Sequence, residues 1–156
     1  PVKGNPAMPQ FILDMGSPQG AATYAALDLF TRGYIEAAFF TETGDGDDAE
    51  RDLEHASVAE LAPDALARAV RDCAAFQAEA AKPLWSAYNL RNYEPEQAGR
   101  DFWLTRNGHG AGFWDRPELE SFGAEIGSIG ETLSAHARRA GSCDLYRGDD
   151  GQIYFA

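Results

Sequence analysis

Between Gln19 and Phe40 the apolar positions recur at three- and four-residue spacing. Tyr24, Leu27, Phe30, Tyr34 and Ala37 or Ala38 share one face, and Ile35, Phe39 and Phe40 widen it. That spacing predicts one long, largely buried helix. Ser17-Pro18-Gln19 marks its start, with serine as cap and proline in the first turn. The spacing of Ser57 and Glu60 is that of a capping box, giving a short turn before Pro63. A second helix is predicted from Pro63 to Ala81, with Leu66, Ala69, Val70, Cys73 and Phe76 as its apolar stripe. Leu84, Trp85, Tyr88 and Leu90 form a short third helix beyond Pro83.

Pro95-Glu96-Gln97 opens a fourth helix running to Arg106, with proline and acid where the dipole favours them. Gly99 lies inside it at a cost of about 1 kcal/mol relative to alanine, so a close neighbour is expected there, such as a ring from 113–114. Asn107-Gly108 is a strong helix stop. Pro117–Phe122 suggests a helical turn, and Ile129–Arg139 a fifth helix ended by Gly141. Cys143–Tyr146 and Gln152–Phe155 alternate about the turn Gly148-Asp149-Asp150-Gly151, the pattern of a hairpin. Residues 1–20 carry four prolines and three glycines, so they read as an extended arm in which Phe11-Ile12-Leu13 is a short strand or a pin to the core. The expected architecture is therefore α+β: an arm over 1–20, then a single globular domain over 21–156, mostly helical with a C-terminal β-hairpin.

Charge changes the picture more than composition does. The 156 residues carry a net charge of −12 and a pI near 4.5. Nucleic acid and anionic lipid both require cationic groups to replace counterions, so direct binding to either is not expected. Basic proteins, including those that themselves hold nucleic acid, become the expected partners. Glu42, Asp45, Asp47, Asp48, Glu50, Asp52, Glu54, Glu60 and Asp64 face only Arg51 within residues 42–64. A calcium loop does not fit, because the sixth position counted from Asp45 is Glu50 and the twelfth is Ala56. Asp45, Asp47, Asp48, Glu50, Asp52 and Glu54 are the expected docking residues of an acidic surface.

Cys73 and Cys143 are too few for a disulfide framework and read as reduced core residues of a cytoplasmic protein. No apolar run approaches the roughly 18 residues of a membrane span, and Pro1–Gln10 lacks the apolar segment of a signal peptide.

The stretch that invites chemistry is DFWLTRNGHGAGFWD, Asp101–Asp115. Its Phe-Trp pairs bracket Thr105, Arg106, Asn107 and His109 among glycines, and packing alone does not ask for those polar residues. Gly108–Gly112 is similar to the oxyanion loop of esterases, but the chain has no Gly-x-Ser-x-Gly nucleophile turn. No His or Cys pair has ligand spacing, so neither a metal nor a cofactor is expected. Acid–base chemistry by His109, oriented by Asp101 or Asp115, with Arg106 holding an anionic substrate, would make a small hydrolase or transferase. The structural alternative is a buried ion-pair network of Arg106 with the two aspartates, Asn107 acting as a cap. In either case Asp101, Trp103, Thr105, Arg106, Asn107, His109, Trp114 and Asp115 form the motif. A third possibility is a partner-binding loop with Trp, Arg and His as anchors.

These residues also carry a resemblance. The run Glu96-Gln97-Ala98-Gly99, then DFWLTRNGHGAGFWDR, then Asp144-Leu145-Tyr146 and Asp149–Tyr154 resembles a family of small phage- and prophage-encoded proteins. Tyr34–Phe40, Ala62-Pro63 and Asp72–Phe76 extend the likeness to roughly residues 25–155. Arg100 stands where that pattern has histidine, and residues 116–130 depart from it. The resemblance implies expression in a bacterial cytoplasm and carries no catalytic residue. The expected function is a phage-encoded acidic accessory protein that binds, and inhibits, a host protein or complex handling nucleic acid, as in antiviral defence. The alternatives are the small enzyme and a virion or assembly component.

Overall fold

The computed structural model describes residues 11–43, 53–120 and 128–156. Among these residues six helices precede a two-stranded antiparallel sheet, so the fold is α+β and mostly helical. The helices are α1 (Pro18–Ala25), α2 (Leu29–Thr43), α3 (Pro63–Glu79), α4 (Ala81–Leu90), α5 (Pro95–Arg106) and α6 (Ile129–Arg139). The strands are β1 (Leu145–Arg147) and β2 (Ile153–Phe155). Single 3-10 turns lie at Val58–Glu60, Phe113–Asp115 and Pro117–Leu119.

Local chemistry accounts for most of these boundaries. Ser17 accepts from the Gly20 N–H at 3.0 Å with Pro18 behind it, and Ser128 accepts from the Glu131 N–H at 2.9 Å. Pro63 and Pro95 occupy the first positions of α3 and α5. Glu60 takes the Ser57 backbone N–H at 2.7 Å, the reciprocal half of a capping box.

Two expectations are corrected. The single helix over 19–40 is two helices, because Asp28 accepts from the Thr31 N–H at 2.7 Å and starts α2 afresh. Arg32 then reaches back to the Leu27 carbonyl at 3.0 Å and to that of Ala25, closing the end of α1. The arm does not extend to residue 20, since α1 begins at Pro18. Residues 11–16 form no strand. They are pinned by Phe11 edge-on to Phe40 at 5.3 Å and by N–H groups of Val58 and Ala59 donating to Asp14 and Met15 carbonyls.

The core is organised by α2 crossing α5. Gly33 backs onto the Glu96 carbonyl and Gly99 onto the Phe30 carbonyl, each so closely that a methyl group would overlap the oxygen. The neighbour that makes Gly99 necessary is thus helix backbone and not an aromatic ring. Close approach of the two helices lets their rings stack with those of neighbouring elements. Phe76 lies between Phe102 at 4.2 Å and Phe113 at 5.7 Å, and Tyr34 meets Trp103 edge-on at 5.3 Å. The hairpin pairs Leu145 with Phe155, Tyr146 with Tyr154 and Arg147 with Ile153. Leu145, Ile153 and Phe155 face the core, and the Ala62 N–H ties β2 to the start of α3 by donating to the Ile153 carbonyl.

Candidate functional site

The polar residues of Asp101–Asp115 divide between two separate networks. Asp101 is fully buried on α5. Arg116 grips it in bidentate fashion, with guanidinium–carboxylate distances of 2.7 to 3.1 Å. The Tyr93 hydroxyl and the Gln97 amide complete its shell. Burial weakens a guanidinium's charge, but the Asp101 carboxylate outweighs that and holds Arg116 above its ordinary pKa. Burial, with Asp101 beside it, also drives the Tyr93 hydroxyl far up, so tyrosine stays the donor.

Arg106, one turn and a half along α5, points the other way. Its Nε donates to the Gly141 carbonyl at 2.7 Å and its Nη2 to that of Ala140 at 3.1 Å, capping the end of α6. Its Nη1 donates to the Tyr34 hydroxyl and to Asp72, both at 2.9 Å. The Phe102 ring lies under the guanidinium, 5.2 Å from its carbon. Burial opposes this charge too, but Tyr34 and Asp72 hold the Arg106 pKa above its usual value. The expected network joining Arg106 to Asp101 and Asp115 is therefore not the one formed. The arginine partner of Asp101 is Arg116, and the carboxylate partner of Arg106 is Asp72.

The remaining motif residues shape the loop. Asn107 accepts from the Cys143 N–H at 2.7 Å and donates to the Trp103 carbonyl, locking the helix end to the approach to β1. Gly108, not Asn107, takes the left-handed conformation, at φ +69°. Thr105 accepts from the Phe113 N–H at 3.2 Å, and Asp115 from the Gly112 N–H at 2.9 Å. Trp103 is buried and donates to the Thr41 hydroxyl at 2.8 Å, whereas Trp114 is 47% exposed.

His109 is half-buried, and desolvation alone lowers its pKa. Among the described residues its side chain makes no hydrogen bond or ion pair with Asp101, Arg106 or Asp115. Among the described residues, neither Asp101 nor Asp115 thus orients His109 as acid–base catalysis would require. Arg106, with a side chain 3% exposed, is occupied by four protein acceptors and not by a free anion site. It floors a cleft of about 280 Å³ between α3 and α6, whose walls carry Asp72 and Glu79 on one side and His136 and Arg139 on the other. Among the described residues no group of three His, Cys, Asp or Glu side chains has metal-holding geometry. Cys73 and Cys143 are buried and unpaired, and burial pushes both thiols up.

Of the acidic docking residues, Asp45, Asp47, Asp48, Glu50 and Asp52 lie outside the described residues. Glu54 is described, with a side chain 70% exposed and 3.6 Å from His55. Sequence reasoning did not assign roles to Asp72, Tyr93 and Arg116. A usable signal existed for Arg116, which directly follows the Phe-Trp-Asp turn, but none marked Asp72 across 34 residues.

In comparisons with known proteins the chain matches no family model, no curated relative and no solved structure. Among the described residues no helix is long and apolar enough to cross a membrane.

Proposed function

We propose that this chain is an acidic accessory protein that docks on, and inhibits, a protein with a basic surface of the kind that handles nucleic acid. One observation carries the reading. Six of the eleven arginines are engaged by the fold: Arg32 and Arg106 close helix ends, Arg68 reaches the Phe155 carbonyl, Arg116 holds Asp101, Arg147 holds Glu60, and Arg100 lies 3.5 Å from Glu36. With 25 acidic side chains against 13 basic ones, this use of arginine leaves the exterior short of cations. Such a field steers basic partners and repels nucleic acid. The resemblance to small phage and prophage proteins supports a bacterial cytoplasmic setting.

The test is affinity capture from a bacterial lysate at low and moderate salt. The wild-type chain is compared with a variant carrying Asp45→Lys, Asp47→Lys and Asp48→Lys. Stoichiometric capture of a basic nucleic-acid-binding protein, lost in the variant and weakened by salt, is the expected result. Equal capture by both chains would remove the acidic segment as the docking surface. No capture even at low salt would overturn the reading.

A further inference from the structure

The outward face of the hairpin has the composition of a receptor for a cationic side chain. Tyr146 and Tyr154 are directly paired across the strands, with ring centroids 5.8 Å apart and planes 26° from parallel. Alternation puts them opposite the core-facing Leu145, Ile153 and Phe155, and Tyr146 is 39% exposed. Gly148 permits this layout, because a Cβ there would press into the Tyr154 ring. The Tyr154 hydroxyl donates to Asp150, which is held by that bond and by the Gln152 N–H below the ordinary carboxylate range. Tyr146, Tyr154, Asp149 and Asp150 thus line one open depression at the turn, together with Gly148 and Arg147. Asp64 lies close enough for its charge to be felt at Tyr154. The one cation of the hairpin, Arg147, is drawn to Glu60 at 2.9 Å and to the Gly151 carbonyl.

We infer that this face binds an arginine side chain of the basic partner, an inference that rests on the function proposed above. The guanidinium stacks on the Tyr146 ring while Asp149 and Asp150 take its N–H groups. Aromatic faces attract cations through their quadrupole, and arginine is the cation most often found there. Carboxylates at the rim supply charge complementarity and a planar, two-pronged acceptor. A surface of acids alone would attract any cation; the stacked tyrosines are what select a planar one.

The experiment is an NMR titration of the 15N-labelled full chain with a short Gly/Arg peptide, its Lys counterpart and its Glu counterpart. The Arg peptide is expected to shift the amides of Tyr146, Asp149, Asp150 and Tyr154, more strongly than the Lys peptide. Tyr146→Ser should weaken its affinity about threefold with the melting temperature kept, while Tyr146→Phe should bind as wild type. Equal loss in both variants, no loss in Tyr146→Ser, or equal response to Lys would overturn the hairpin assignment. Shifts confined to residues 42–54 would also overturn it but would leave the acidic docking function standing. No response to either basic peptide at low salt would overturn both, as would binding of the Glu peptide.

Discussion

Asp101 and Arg116 form a bidentate ion pair that ties the middle of α5 to the segment emerging from the Phe113–Asp115 turn. The carboxylate is fully buried and the arginine side chain 28% exposed. The pair therefore closes the glycine-rich loop between its two ends, with Tyr93 as a second donor to Asp101.

Removing one partner should cost more than removing both. Arg116→Met leaves Asp101 buried with only Tyr93 and Gln97, and is expected to lower stability by about 3 kcal/mol. Adding Asp101→Leu should recover much of that loss, since an apolar pair carries no desolvation penalty. Urea unfolding of the wild type, both single variants and the double variant measures the coupling. An additive double variant would mean the pair does not act as a unit.

Arg106 should resist conservative replacement. Its planar fork serves the Gly141 and Ala140 carbonyls, Tyr34 and Asp72 at once, which an ammonium on a flexible stem does not. Arg106→Lys is expected to cost about 2 kcal/mol through unmade hydrogen bonds in a buried setting. The loss would show as a lower unfolding midpoint with an unchanged denaturant slope. Retention of wild-type stability would mean that the carbonyls at the end of α6 find other donors.

Gly99→Ala tests the helix crossing. Alanine is a better helix former by about 1 kcal/mol, yet the new methyl meets the Phe30 carbonyl. Overpacking of this kind costs about 1–3 kcal/mol, and with backbone as the obstacle the upper part of that range applies, so the net change is a loss. Gly110→Ala is the control, because its Cβ meets nothing within 4 Å. Thermal melts should separate the two, with Gly110→Ala close to wild type.

Stability should fall as the solution is acidified. Burial tends to raise the Asp28 carboxyl, but hydrogen bonds from Thr31 and Gln77 outweigh it and hold the group below its ordinary range. For Glu60, burial is likewise outweighed by Arg147 and Ser57. His109 is lowered by desolvation. In all three cases the unfolded chain binds protons more readily than the folded one, so stability rises with pH. Their contributions are complete above each group's unfolded pKa. They fade as pH falls through the folded values, first near the lower histidine range and then below the carboxylate range. Urea midpoints across this range check the trend, and His109→Asn should flatten only its upper part.

Local signals in the sequence determined the elements. Proline with serine at 17–18 and proline at 63 and 95 place helix starts because capping involves residues three apart at most. Alternation about Gly148–Gly151 placed the hairpin for the same reason. The break at Asp28 was obscured because apolar periodicity continues across it, and periodicity reports burial rather than hydrogen bonding. Tertiary structure alone decided the partners. Arg106 meets Asp72 across 34 residues and Asp101 meets Arg116 across 15, separations at which nothing in spacing distinguishes one carboxylate from another. It also decided that Gly99 faces a helix backbone, since a missing side chain shows that something approaches but not what. The acidic character was legible throughout. That six arginines are drawn to carbonyl groups and carboxylates of the fold, while Tyr146 stays exposed beside Asp149 and Asp150, follows only from where the folded chain puts those groups.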